Sequence, residues 1–140
     1  MAYSSVFLSQ IVKDFELEEI YSPGGLDEIR ISVADVTRPG LQLAGYYDHF
    51  GSDRIQVIGN MEHAFLEKLS PEARRKKIAA LFERQIPCLV ITRNHEVHKE
   101  IISCAKRFKI PIFRTAIATS EFMSSLVKHL NVELAPRVSM

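Results

Sequence analysis

Two apolar runs, each opened by Ile-Pro, constrain this chain more than any other feature: IPCLVIT (86–92) and IPIFRT (110–115). Both are short, β-branched and without the polar alternation of a half-exposed strand. Such runs mark strands covered on both faces, as strands of parallel sheets are. Each leads into a segment of helical period. Val97, Ile101, Ala105 and Phe108 recur after the first, and Phe122, Met123, Leu126, Val127 and Leu130 after the second, whose helix is expected to start at Ser120. Strands alternating with helices imply right-handed crossovers and a largely parallel sheet. The expected fold class is therefore α/β: a single domain with a mostly parallel sheet and flanking helices, built from successive βα units.

The same pattern begins earlier. RIQVIGN (54–60) reads as a short strand followed by the helical MEHAFLEKL (61–69), and Ser70-Pro71-Glu72 restarts a helix. Ser70 serves there as N-cap and Pro71 as first helical residue. The first third is less regular. Ser4 or Ser5 is expected to cap a short helix carrying Val6, Phe7, Ile11 and Val12. LEEIYS (17–22) reads as a strand closed by Pro23-Gly24-Gly25, and IRISVADV (29–36) as a second strand by its alternation. DVTRPGLQLAGYYDHF (35–50) then forms a tight corner. Its Arg38 is expected either to face an anion or to hold Asp35 or Asp48.

Bulk properties narrow the function. A chain of 140 residues buries a core without disulfides or structural metals. A net charge of +1 gives no general attraction to nucleic acid or an anionic membrane, and neither is expected as a partner. The one basic cluster, Arg74-Arg75-Lys76-Lys77, would spread around a helix rather than line a groove. Cys88 and Cys104 lie in apolar segments and read as buried thiols of a reducing compartment. The N-terminus lacks a signal-peptide pattern and no stretch is long enough to span a bilayer, so a cytoplasmic location is expected. Neither a phosphate-binding GxxxxGK[ST] or GxGxxG motif nor a GxSxG nucleophile elbow occurs. His95 and His98 are three apart, where a zinc helix places its histidines four apart. His49, His63 and His129 have no metal-like spacing, and no metal or catalytic residue is expected.

In open parallel sheets, ligands bind beyond the carboxyl ends of the strands. Gly59-Asn60, Thr92-Arg93-Asn94 and Arg114-Thr115 occupy those ends. The candidate ligand-binding residues are Thr92, Arg93, Arg114 and Thr115 at these ends, together with Arg38, Gly40 and Tyr46 of the 35–50 corner, a set suited to a phosphate or carboxylate. Two other readings stand beside this one: ordinary polar loops around a rigid corner, and an interface anchored by tyrosine and arginine.

DVTRPGLQLAGYYDHF followed by RIQVIGNMEHAFLEKL resembles the N-terminal domain of the HPr kinase/phosphorylase family. PCLVITR (87–93), IPIFRT (110–115), ATSEF (118–122) and ELAP (133–136) continue the match in order. Thr37 stands where serine is common in that family, and Gln42 where an acid is common. The resemblance implies a parent enzyme that phosphorylates a serine of HPr with ATP or pyrophosphate and reverses the reaction by phosphorolysis. It further implies a homo-hexamer acting in carbon catabolite regulation. Its phosphate loop, Mg²⁺ site and HPr contacts would lie in a C-terminal kinase domain outside this sequence. Residues 1–132 would then be the N-terminal-like domain and 133–140 the start of the linker. The chain itself would be a non-catalytic regulatory or assembly domain without a cofactor. Its partners would be its own C-terminal domain and neighbouring subunits. The family domain is similar in fold to the N-terminal domains of Mur ligases, which carry a Ser-Arg segment and a glycine at a place resembling Thr37-Arg38-Pro39-Gly40. The alternative is a stand-alone α/β module sensing a small anion or nucleotide.

Overall fold

A computed structural model describes residues 5–136. In chain order the elements are β1 (Val6–Phe7), α1 (Leu8–Asp14), β2 (Glu18–Tyr21), β3 (Arg30–Ile31), β4 (Val36–Thr37), α2 (Gly40–Leu43), β5 (Ile55–Ile58), α3 (Asn60–Glu67), α4 (Pro71–Phe82), β6 (Leu89–Ile91), α5 (Lys99–Phe108), β7 (Ile112–Arg114) and α6 (Thr119–Leu134). The main sheet has the order β2-β7-β6-β5-β4. Strands β4, β5, β6 and β7 run parallel, and β2 closes one edge antiparallel to β7. The α/β, mostly parallel expectation holds.

Residue alternation within the strands explains the uninterrupted apolar runs. Ile58, Leu89, Ile91 and Ile112 face one buried cluster, shared with Leu81 and Phe82 of α4 and Ile101 and Ala105 of α5. Ile55, Val57, Val90 and Phe113 face a second cluster with Ile11 of α1 and Phe122, Leu126 and Leu130 of α6. Each strand thus needs apolar residues at successive positions, because helices cover both sheet faces. Cys88 and Cys104 are free thiols, both buried. Among the described residues no helix is long and apolar enough to cross a membrane.

The helix α4 starts as its sequence dictates: Pro71 occupies the first turn and Ser70 Oγ accepts the Ala73 N–H at 3.1 Å. Three expectations are corrected. IRISVADV does not form one strand. Arg30–Ile31 pairs with Val6–Phe7 in a separate two-stranded sheet, whereas Val36–Thr37 joins the main sheet beside β5. Alternation shows which residues face inward, but not that two halves of a run have different neighbours. The first helix begins at Leu8, after Val6 and Phe7 have paired as a strand. Ser5 accepts a bond from Arg30 Nη1 at 2.9 Å, and Ser4 lies outside the described residues. Finally, α6 starts at Thr119 with Ala118 as N-cap, so Ser120 lies inside its first turn. This helix continues through Leu134, two residues past the expected domain end at 132. Of the expected linker, residues 137–140 lie outside the described residues.

Candidate functional site

The pairing register places Ile58, Ile91 and Arg114 side by side across β5, β6 and β7. The chain leaves the sheet after them through Gly59, Thr92 and Thr115, as the sequence pattern implies. What these residues do there differs from expectation. Thr92 is fully buried; its hydroxyl donates to the Ile58 carbonyl at 3.0 Å. Thr119 Oγ1 lies 2.6 Å from Thr92 Oγ1. A hydroxyl has one hydrogen and Thr92 spends its own on Ile58, so Thr119 donates and Thr92 accepts. Thr115 is also buried, and its hydroxyl accepts the Ile117 N–H at 3.3 Å. Both threonines serve the fold.

Arg38 is engaged internally. Its Nε and Nη2 donate to Glu62 Oε1 at 3.2 and 2.9 Å, and the same oxygen accepts the Gly59 N–H at 2.7 Å. Glu62 is the third residue of α3, so its carboxylate caps the helix while binding the guanidinium. Gly59 has an extended backbone that any residue adopts. Its requirement is space: a Cβ there would lie 2.5 Å from Thr119 Oγ1 and 2.9 Å from Arg38 Nη2. A Cβ added at Gly40, the first residue of α2, would lie 3.6 Å from the other carboxylate oxygen of Glu62, an ordinary contact. Arg38 therefore does not hold Asp35 or Asp48. Asp35 instead faces Arg54 at 3.8 Å on the surface.

Arg114 is engaged too. Its Nε and Nη2 form a two-pronged bond to Glu18 of β2, at 3.0 and 2.9 Å. That hydrogen bond holds the Glu18 carboxyl below its usual range and raises Arg114 above its own. Arg93 is exposed, with no side-chain hydrogen bond or ion pair among the described residues. Of the adjacent tyrosines, Tyr46 is half exposed, while Tyr47 packs its ring under the Arg84 guanidinium at 3.6 Å. The three arginines thus do not converge on one anion. Arg38 and Gly40 meet at Glu62, Arg114 turns to the β2 edge, and Arg93 points to solvent.

Beside Arg38 lies an open groove of about 480 Å³ formed by α2 and α3, with Leu41, Leu43, Ala44, Met61 and Phe65 in its wall. Leu41 is 65% and Met61 75% exposed. Sequence reasoning missed this groove, and it missed Glu62 and Glu18. Only Glu62 carried a local signal, as an acid three residues after the expected strand-end glycine.

A histidine cluster was also illegible. On α3, His63 and Glu67 are one turn apart, with Nε2 and Oε1 separated by 3.6 Å. His98, the N-cap of α5, brings its Nε2 to 2.5 Å from the same Glu67 oxygen. His95 stacks on His63 with centroids 4.2 Å apart, and its Nε2 meets Asn60 Oδ1 at 2.5 Å. The helical spacing of His95 and His98 is immaterial, since residues 93–98 form a loop.

Comparison with known proteins places this geometry. The family model described as HPr Serine kinase N terminus matches residues 6–130. Curated HPr kinase/phosphorylases align over nearly the whole chain. That of Clostridium perfringens strain SM101 is 41% identical over 96% of this chain and 43% of its own length. That of Caldicellulosiruptor bescii is 38% identical over 99% and 44%, and that of Clostridium tetani 36% identical over 96% and 44%. The chain spans less than half the length of these relatives. A solved structure, the CBS and DRTGG domains of the regulatory region of Clostridium perfringens pyrophosphatase complexed with its activator diadenosine tetraphosphate, superposes with a TM-score of 0.60. It is 20% identical over 88% of this chain and 46% of that one, a likeness of fold alone. With the collinear relatives and the family match over residues 6–130, the chain belongs to the HPr serine kinase N-terminal family.

Proposed function

We propose that this chain is a non-catalytic regulatory and assembly domain of a bifunctional HPr serine kinase/phosphorylase. The parent would transfer phosphate to a serine of HPr from ATP or pyrophosphate, with Mg²⁺, and remove it by phosphorolysis. All of that chemistry, and contact with HPr, would lie in a C-terminal kinase domain, within a cytoplasmic homo-hexamer. One observation carries the reading: at the strand ends, Arg38 and Arg114 are each occupied by a carboxylate of the chain itself, and an exposed apolar groove lies beside Arg38. Cations already paired are poor receptors for a transferring phosphoryl group. The groove's Met61, Phe65 and Arg38 are of the residue types enriched at protein contacts. The occupant we assign to the groove is a neighbouring subunit of the same oligomer.

Two measurements test this. The 140-residue chain incubated with HPr, ATP and Mg²⁺ should form no phosphoserine, and robust transfer would overturn the non-catalytic reading. In the full-length protein, Leu41→Glu combined with Met61→Glu should lower the molar mass seen by light scattering. An unchanged mass would refute the assembly face.

One observation favours a second reading, a small-anion or nucleotide sensor. Arg93 is exposed beside Thr92 with no side-chain partner among the described residues, and the pyrophosphatase regulatory region of similar fold is complexed with a dinucleotide. A thermal-shift series with phosphorylated sugars, nucleotides and diadenosine tetraphosphate tests it by mass action. A genuine hit disappears in Arg93→Ala; a hit that persists is not at this site.

A further inference from the structure

We propose that His63, Glu67 and His98 form a binding site for a divalent transition-metal ion of the Zn²⁺ class, joining α3 to the loop ahead of α5. Two imidazole nitrogens and one carboxylate oxygen lie within 4.8 Å of one another. Two imidazoles and a carboxylate suit Zn²⁺, Co²⁺ or Ni²⁺, whereas Mg²⁺ and Ca²⁺ demand oxygen ligands. A tetrahedral Zn²⁺ with bonds of about 2.0–2.2 Å sets its ligand atoms roughly 3.3 Å apart. The His63–Glu67 separation of 3.6 Å is already near that spacing. The 2.5 Å His98–Glu67 contact has to open by less than an ångström, and Glu67, 56% exposed, is free to turn.

The surroundings support the donor set. His63 is braced by the parallel ring of His95, which Asn60 fixes in turn through its Oδ1. This stack fixes the plane of the His63 ring. His98 Nε2 and Glu67 Oε1 share one hydrogen bond, and a metal ion would displace its proton. A neighbouring cation, Arg74, is committed to Glu100 at 2.7 Å and to the carbonyls of Leu66 and Leu69. Three protein ligands leave a fourth position for water on the solvent side of Glu67. The local pairing of His63 with Glu67 at i and i+4 is a half-site; the fold supplies His98 from 31 residues beyond Glu67.

The test uses the 140-residue chain without an affinity tag, titrated with Zn²⁺ against a chromophoric indicator. The expected result is one ion per chain. His63→Gln, Glu67→Gln and His98→Gln should each weaken binding by more than about 10-fold, the least that even outer-shell changes cost. His129→Gln, whose ring pairs with Asp14 instead, should bind as the parent does. Far-UV circular dichroism checks each fold. Should a variant not fold, imidazole NMR of the unaltered chain decides: Zn²⁺ must shift the His63 and His98 ring signals and leave those of His49 and His129. Absence of one-to-one binding, affinity unchanged in all three variants, or shifts confined to other histidines would overturn the site.

Discussion

Replacing Glu62 by glutamine keeps volume and helix propensity while removing one charge. In the structure a single oxygen of Glu62 accepts three hydrogen bonds, two from Arg38 and one from Gly59 N–H. The Glu62 side chain is 6% exposed and Arg38 35%, so the two ends of the pair contribute unequally. The guanidinium side is open to water, where such a pair stabilises by about 0.5–1 kcal/mol. On the buried Gly59 side, an amide oxygen still accepts the N–H, but loss of charge assistance and of the interaction with the helix N-terminus costs about 1 kcal/mol. The two contributions come to about 2 kcal/mol, or a fall in Tm of about 6 °C for a domain of this size. Urea unfolding and thermal melts of the chain measure both. A double-mutant cycle with Arg38→Met separates the pair from the cap: a coupling of about 1 kcal/mol is expected. If Glu62→Gln stays within about 0.5 kcal/mol of the parent, as an ordinary surface change does, the reasoning is refuted. Zero coupling would sink the ion pair while leaving the cap.

Gly59→Ala should destabilise by about 1–3 kcal/mol although its backbone is unstrained, because the new methyl meets Thr119 Oγ1 at 2.5 Å. Adding Thr119→Ala should recover part of the loss in urea unfolding, which a backbone-strain account does not predict. Lys109, the C-cap of α5, is left-handed with φ 58°; Lys109→Gly should stabilise by about 0.5–1 kcal/mol in the same assay, and a loss would contradict the cap geometry. Burial pushes the Cys88 thiol up to about 12 and raises Cys104 as well. Native chain at pH 8 should therefore show no rapid reaction with Ellman's reagent and release two thiols on unfolding; a fast native equivalent would refute their burial.

The βα half of the fold was legible because two independent signals coincide there. Strand residues 86–92 and 110–115 must be apolar at successive positions to face two cores, and the helices after them repeat at 3.6. Where those signals separate, reading failed. Residues 29–36 alternate correctly, yet their halves pair with different sheets. Thr92, Thr115 and Arg114 were correctly placed at the strand ends by topology and Arg38 in the corner by its turn residues, but what they touch was not read. A hydroxyl or guanidinium near a strand end satisfies itself with whatever the fold delivers. The fold delivered Ile58, Thr119, Glu62 and Glu18.

The contrast between Glu62 and Glu18 shows why. Glu62 bonds across three residues to Gly59, so its partner is fixed by local helix geometry and leaves a trace in spacing. Glu18 reaches Arg114 across 96 residues, and that contact exists only because β2 adds to the sheet edge antiparallel to β7. Had β2 paired elsewhere, Arg114 would be an open cation at a strand end. Whether such an arginine has a carboxylate partner within the chain thus depends on strand order at the sheet edge, a property of topology. The histidine cluster obeys the same logic: His63 and Glu67 are paired locally at i and i+4, but His98 joins them only when the ends of β5 and β6 come side by side.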